Sequence, residues 1–361
     1  MKTSEKKCPG TAKTRLPRAA LLLAALLSVS LLAGCAAPVT GVNSVGDIEK
    51  DPDNTGDTGA KISVVATVFP YYDFVRAIAG DRADITMLIP PGVEVHSYEP
   101  TPADIIAIGN CDLFIYTGGG LEVWAGAILE SVSNKDMRIL SLADGTELKP
   151  EHVHEHADRD RRAGHDGEVG DKSDHKGHPD DEDHFHEYDP HIWTSPVNAS
   201  IMADMILEAL CIIDPDNRDH FTANADKLKA GLEELDEKFR EIVANAKRRE
   251  IYIADRFAMR YFADEYGLDY HAAFDSCSSE TEPSAAVITE MADQIKKENI
   301  RFIYHGELTA PQIARTLSNE TGAELLLLHS CHNVSKEEFE DGATYISLME
   351  QNAENLEKGL N

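Results

Sequence analysis

Apolar, β-branched runs at 61–69, 84–89, 111–116 and 137–142 alternate with stretches of helical period at 71–79, 103–109 and 121–132. A second set follows, with strand-like runs at 250–254, 268–274, 300–304 and 323–329 and helical stretches at 258–266, 285–298, 311–321 and 343–360. Strands that alternate with helices predict parallel sheets, so the chain reads as an α/β protein of two βα-repeat lobes. Between the two sets, Phe221, Ala225, Leu228, Leu232, Leu235, Phe239 and Ile242 recur at spacings of four and three, one apolar stripe along a single long helix. The pattern covers only about three heptads, too few to favour a coiled-coil partner. It predicts instead a rigid helix that joins the lobes.

Two stretches lack this order. Residues 151–189 are crowded with His, Asp, Glu and Gly and hold no aliphatic run, which predicts a disordered or loosely ordered insert within a lobe. At the N-terminus, Lys2, Lys6, Lys7, Lys13, Arg15 and Arg18 precede an apolar run at 19–32. That is the order of a secretory signal, and the run falls short of the ~20 residues that span a bilayer. It ends in Leu32-Ala33-Gly34-Cys35, which resembles the lipobox of bacterial lipoproteins. On that resemblance Cys35 becomes the lipid-modified N-terminus; the alternative is an ordinary secreted chain. More than one acyl chain makes a stable anchor. Residues 1–35 therefore predict a lipoprotein signal with lipidated Cys35, and residues 36–60 a flexible tether. The rest is expected outside the cytoplasm, held to the cell membrane.

Composition narrows the clients. With 34 Lys plus Arg against 64 Asp plus Glu, the formal charge is -30, and no basic cluster follows the signal, so nucleic acid is not an expected partner. Cations are. The six cysteines are too few for a disulfide-stapled fold, and no CxxC pair occurs. Without Cys8 and Cys35, the residues Cys111, Cys211, Cys277 and Cys331 remain, and a Cys277–Cys331 bridge and four free thiols are both open.

Histidine carries the candidate chemistry. Nine of the fifteen, His152, His154, His156, His165, His175, His178, His184, His186 and His191, lie within 40 residues, interleaved with carboxylates. Neutral imidazoles suit Zn, Cu, Ni and Fe, so this insert could gather cations; the bland reading is a solvated acidic loop. Two further motifs set one histidine each beside turn-forming prolines, PPGVEVHSYEPTP around His96 and DPHIWTSP around His191. Thr101, Pro102 and Asp104 form a capping-box start for the next helix, which puts His96 at the C-terminal mouth of a βα unit, where ligands bind.

With those two motifs, the RYFADEYGL segment, the TEPS turn at 281–284 and the closing TYISLMEQNAENLEKGL, the sequence resembles the zinc- and manganese-binding lipoproteins of bacterial ABC importers over nearly all of 61–361. The resemblance implies two α/β lobes joined by a long helix, with one metal in the cleft, delivered by a monomer to a membrane permease. The domains are then an N-terminal metal-binding lobe at 61–196, which includes the His-rich loop 151–189, linker helices at 197–249 and a C-terminal lobe at 250–361. His96 and His191 fall on the family's first two ligands. Its third falls on Arg256, which has no lone pair to offer. Its fourth falls near His329, so His329 is expected as a third imidazole, with Asp255, Glu280, His305, Glu307 and His332 available to complete the set. One reading of Arg256 without metal is a salt bridge to Glu280 or Glu282.

Imidazole-rich ligation favours Zn(II); Mn(II), the alternative, wants more oxygen donors. A secreted zinc hydrolase is the less favoured class, because no HExxH and no GxSxG occur. A surface adhesin that uses the acidic loop is permitted by the charge and the tether.

Overall fold

Strand β1, Ile62–Ala66, is buried on both faces and pairs in parallel on either side, Val64 lying opposite Ile85 and Leu113. The structure is a computed structural model and describes residues 60–150, 188–274, 283–308 and 311–361. The lipobox, the tether up to residue 59 and the His-rich insert 151–187 lie outside the described residues. The chain leaves β1 into α1, Phe69–Ala79, where Pro70 in the first turn costs no hydrogen bond. It returns as β2, Ala83–Met87, continues through α2, Pro102–Asn110, β3, Leu113–Tyr116, and α3, Ala125–Ser131, and ends the sheet with β4, Arg138–Ser141. The order is β2-β1-β3-β4, all parallel.

Two helices follow, α4, Pro196–Ile213, and α5, Arg218–Asn245. The 28-residue α5 buries all seven residues of the predicted stripe together with Val243. The second lobe repeats the first: β5, Glu250–Ile253; α6, Arg260–Tyr266; β6, Asp269–Ala272; α7, Ala285–Lys297; β7, Phe302–His305; α8, Gln312–Thr321; and β8, Glu324–Leu327. Its order, β6-β5-β7-β8, is again wholly parallel. The short α9, Lys336–Glu340, and α10, Tyr345–Leu360, close the chain. In each sheet the order reverses between the first and third strands, so each lobe has its crevice at the C-terminal strand ends.

Several boundaries differ from the sequence reading. The run at 61–69 is strand only to Ala66, because Phe69-Pro70 starts a helix. Of 121–132, only Ala125–Ser131 is helical. Helix α9, with its capping box between Ser335 and Glu338, has too little apolar period to be read from the sequence. Cys331 is a buried free thiol, as are Cys111 and Cys211, and Cys277, the other half of the Cys277–Cys331 bridge considered above, lies outside the described residues.

Candidate metal centre

The loop after β2 carries His96. Its exit is fixed by Thr101 and Asp104, which cap α2 reciprocally, and by the Tyr98 hydroxyl, 2.8 Å from Asp104 and 3.2 Å from the Leu88 carbonyl. Val95, only 2% exposed, anchors the loop in the core. His191 ends the DPH segment and is fully buried. Both its backbone N–H and its Nδ1 meet Asp189 Oδ1, at 2.8 and 2.9 Å. A carboxylate oxygen accepts, so the ring proton sits on Nδ1 and Nε2 holds the lone pair.

The loop after β8 brings a third imidazole, and it is His332. Its ring centre stands 6.2 Å from that of His96 and 6.3 Å from that of His191, while His96 and His191 are 5.4 Å apart. Two imidazoles that share one tetrahedral ion at ~2.0–2.1 Å hold their ring centres about 5 Å apart. No three His, Cys, Asp or Glu side chains among the described residues are already drawn in to coordination distance. The three rings are thus an ångström or so wider than a closed site, a gap that side-chain torsions span.

His329 is turned elsewhere. Its Nδ1 accepts from the Cys331 N–H at 2.9 Å, and its Nε2 edge faces Glu338 Oε1 at 3.7 Å. Buried Asn352 of α10 brackets its backbone with two hydrogen bonds of 2.7 Å. Between the two histidines, Cys331 has φ 62°, a left-handed turn that sends His329 into the C-terminal lobe and His332 into the cleft. Nothing in the spacing of a His-x-x-His pair shows which ring faces which way.

Electrostatics keep His96 and His332 unprotonated. Burial, then the neighbouring His191, His332 and Arg256, drives His96 down to about 2. Burial also lowers His332, against the pull of Glu307. Neutral imidazoles accept a cation without first losing a proton.

Of the other residues considered, Asp255, Arg256 and Glu307 line a cavity beside His332, together with Glu94. Arg256 follows β5; Asp255, next to it, accepts the backbone N–H of Arg256 and of Gly306. Glu307, after β7, binds Ser330 through both carboxylate oxygens. His305 turns its Nδ1 to the Gly306 carbonyl, 2.8 Å away. Glu280 and Glu282 lie outside the described residues. Ser330, His332 and Glu307 do not form a nucleophilic triad: the serine lies between carboxylate and imidazole and gives its proton to the carboxylate.

Two parallel α/β lobes whose strand ends converge on one cluster of polar side chains define a two-lobed binding protein that holds a small solute in its cleft. The chain belongs to the family described as zinc-uptake complex component A, periplasmic (ZnuA), which matches residues 64–359. It is 33% identical over 308 residues to the high-affinity zinc uptake system protein ZnuA of Bacillus subtilis (strain 168), covering 85% of this chain and 89% of that one. It is 31% identical over 305 residues to the zinc-binding lipoprotein AdcA of Streptococcus pneumoniae R6, covering 84% of this chain and 57% of the relative's length. The crystal structure of the Zn(II)-bound ZnuA-like domain of that species' AdcA superposes with a TM-score of 0.66 at 29% identity, over 83% of this chain and 99% of the domain.

Proposed function

We propose that this chain is an extracytoplasmic zinc-capture protein that binds Zn(II) through His96, His191 and His332 and hands it to the permease of an ABC importer. The observation that carries this reading is the convergence of three imidazoles, their ring centres 5.4 to 6.3 Å from one another. Three nitrogen donors suit zinc better than manganese. His332 takes the place that the sequence reading gave to His329, whose Nδ1 accepts from the Cys331 N–H and whose Nε2 faces Glu338 rather than the other two imidazoles. The zinc-binding name of the S. pneumoniae relative and the zinc-uptake name of the B. subtilis one support the same cargo. The motif at Cys35, and the word lipoprotein in one of those names, support a lipid anchor. In this reading the protein acts as a monomer, the ion is cargo, and the His-rich insert gathers cations.

Zinc titration of the soluble chain against a competing chelator tests the assignment, because only a tight site registers. One such site is expected, lost in His96→Ala with His191→Ala and weakened at least 100-fold in His332→Ala. Tight binding that survives all three substitutions, or that follows His329→Ala instead, overturns the ligand set.

A further inference from the structure

The side chains behind His332 form a chain of their own. Glu307 belongs to a different strand end, is 8% exposed, and meets Ser330 through both carboxylate oxygens: its Oε2 accepts the Ser330 N–H at 2.9 Å and its Oε1 the Ser330 hydroxyl at 2.6 Å. Ser330 Oγ in turn makes a short contact with His332 Nδ1. A hydroxyl has one proton to give. With that proton on Glu307, Ser330 Oγ can only accept from the imidazole, so Nδ1 must carry the ring hydrogen. Glu307 Oε1 is a second acceptor for the same hydrogen, 3.2 Å from Nδ1. His332 Nε2 is buried with no hydrogen-bond partner among the described residues.

We propose that Glu307 is a positioning residue that acts through Ser330 to fix the tautomer of His332, so that Nε2 is the nitrogen presented to the ion. This rests on His332 being a ligand, as argued above. An acceptor behind a ligating imidazole both orients the ring and raises its basicity, and losing one typically weakens metal binding by roughly 10–100-fold. The particular device here is that the acceptor is a serine made acceptor-only by a carboxylate.

The substitution Glu307→Gln probes it. An amide offers one oxygen and one NH2 where two oxygens met two donors. The mismatch is relieved when the amide donates to Ser330 Oγ and the serine proton swings to His332 Nδ1. The ring hydrogen then moves from Nδ1 to Nε2, and the lone pair leaves the cleft. Ser330→Ala, by contrast, leaves Glu307 Oε1 beside Nδ1, and the tautomer stays.

Long-range proton–nitrogen correlation spectra of the zinc-free protein read the tautomer directly. The expected result is Nδ1–H in the native chain and in Ser330→Ala, and Nε2–H in Glu307→Gln, with zinc affinity down about 10–100-fold in the last and by less in Ser330→Ala. A native His332 that reads as Nε2–H overturns the proposal without any variant. So does Glu307→Gln with an unmoved tautomer, or with a moved tautomer and native zinc affinity. The spectra need no metal. They are therefore independent of the His332→Ala titration, whose failure would remove the ligand assignment itself.

Discussion

Each imidazole of the cleft was prepared by a different part of the chain, and how legible it was in the sequence followed from that. His96 and His191 sit beside prolines that fix the local turns, so their placement side by side could be anticipated from a dozen residues each. Asp189, which orients His191, is two residues away and travels with the same motif. His332 depends on a left-handed Cys331, on Glu307 from another strand end and on Asn352 from the last helix holding His329 back. Those contacts are long-range, and the three-residue step from His329 to His332 hides them. The cluster's charge state yields a prediction. An unfolded imidazole titrates near 6.5. His96 is held far below that, at about 2, by burial and by its cationic and imidazole neighbours, and His332 is lowered in the same direction. Below about pH 6.5 the unfolded chain therefore binds protons that the folded chain refuses, and this part of the stability, complete above that pH, is lost as the pH falls. From pH 7.5 to pH 5 the urea midpoint of the zinc-free protein should fall relative to that of His96→Gln, while His329, whose pKa is raised, against burial, by Glu307, acts in the opposite sense in both proteins. Parallel slopes in the two proteins would show that the cleft imidazoles do not set the acid response.

At the level of elements, the apolar period of α5 came through intact because one face of a long helix meets one continuous core. The strands were recognisable but overlong in the sequence, since apolar residues continue past the last ladder bond into the turns. Helix α10 shows what pattern alone misses. Its Gly359 looks like a defect in a helix, yet a Cβ there would lie 1.9 Å from the Tyr304 hydroxyl oxygen and 2.7 Å from its Cζ. Tyr304 is 1% exposed, so it has no room to yield. The glycine is what lets α10 lie flush on β7. Gly126 in α3 is the opposite case, with nothing within 4 Å of the added carbon. Alanine gains up to ~1 kcal/mol over glycine inside a helix, whereas overpacking a filled core costs about 1–3 kcal/mol. Gly126→Ala should leave stability unchanged or raised, and Gly359→Ala should lower it by about 2 kcal/mol, measured by urea unfolding. A stabilised Gly359→Ala protein would mean that the contact between α10 and β7 is loose.

Across the whole 58–361 unit, the two lobes are not independent bodies joined by a strap. One apolar cluster runs from β1 and α1 through α4 and α5 into α6, α10 and the end of β8. Polar ties cross the cleft at the site itself. The Trp193 indole, two residues past His191, donates to the Ser330 carbonyl at 2.8 Å, and the Phe69 N–H reaches the His332 carbonyl at 3.3 Å. Asn333 spends both amide hydrogens on the Pro90 and Val93 carbonyls, each at 2.9 Å, which fastens the His332 loop to the His96 loop. The third imidazole therefore stays with the first two before any ion arrives, and binding needs side-chain adjustment rather than lobe closure. Small-angle scattering should then show the same radius of gyration with and without zinc. Asn333→Ala separates the clasp from the shared core. It strands two carbonyls, so zinc-free stability should fall by about 2 kcal/mol. If the clasp pre-assembles the site, binding must also supply the ordering that Asn333 no longer gives, and zinc affinity should fall about 10-fold, equivalent to ~1.4 kcal/mol. Lower stability with unchanged affinity would mean that the apolar core alone sets the spacing of the imidazoles.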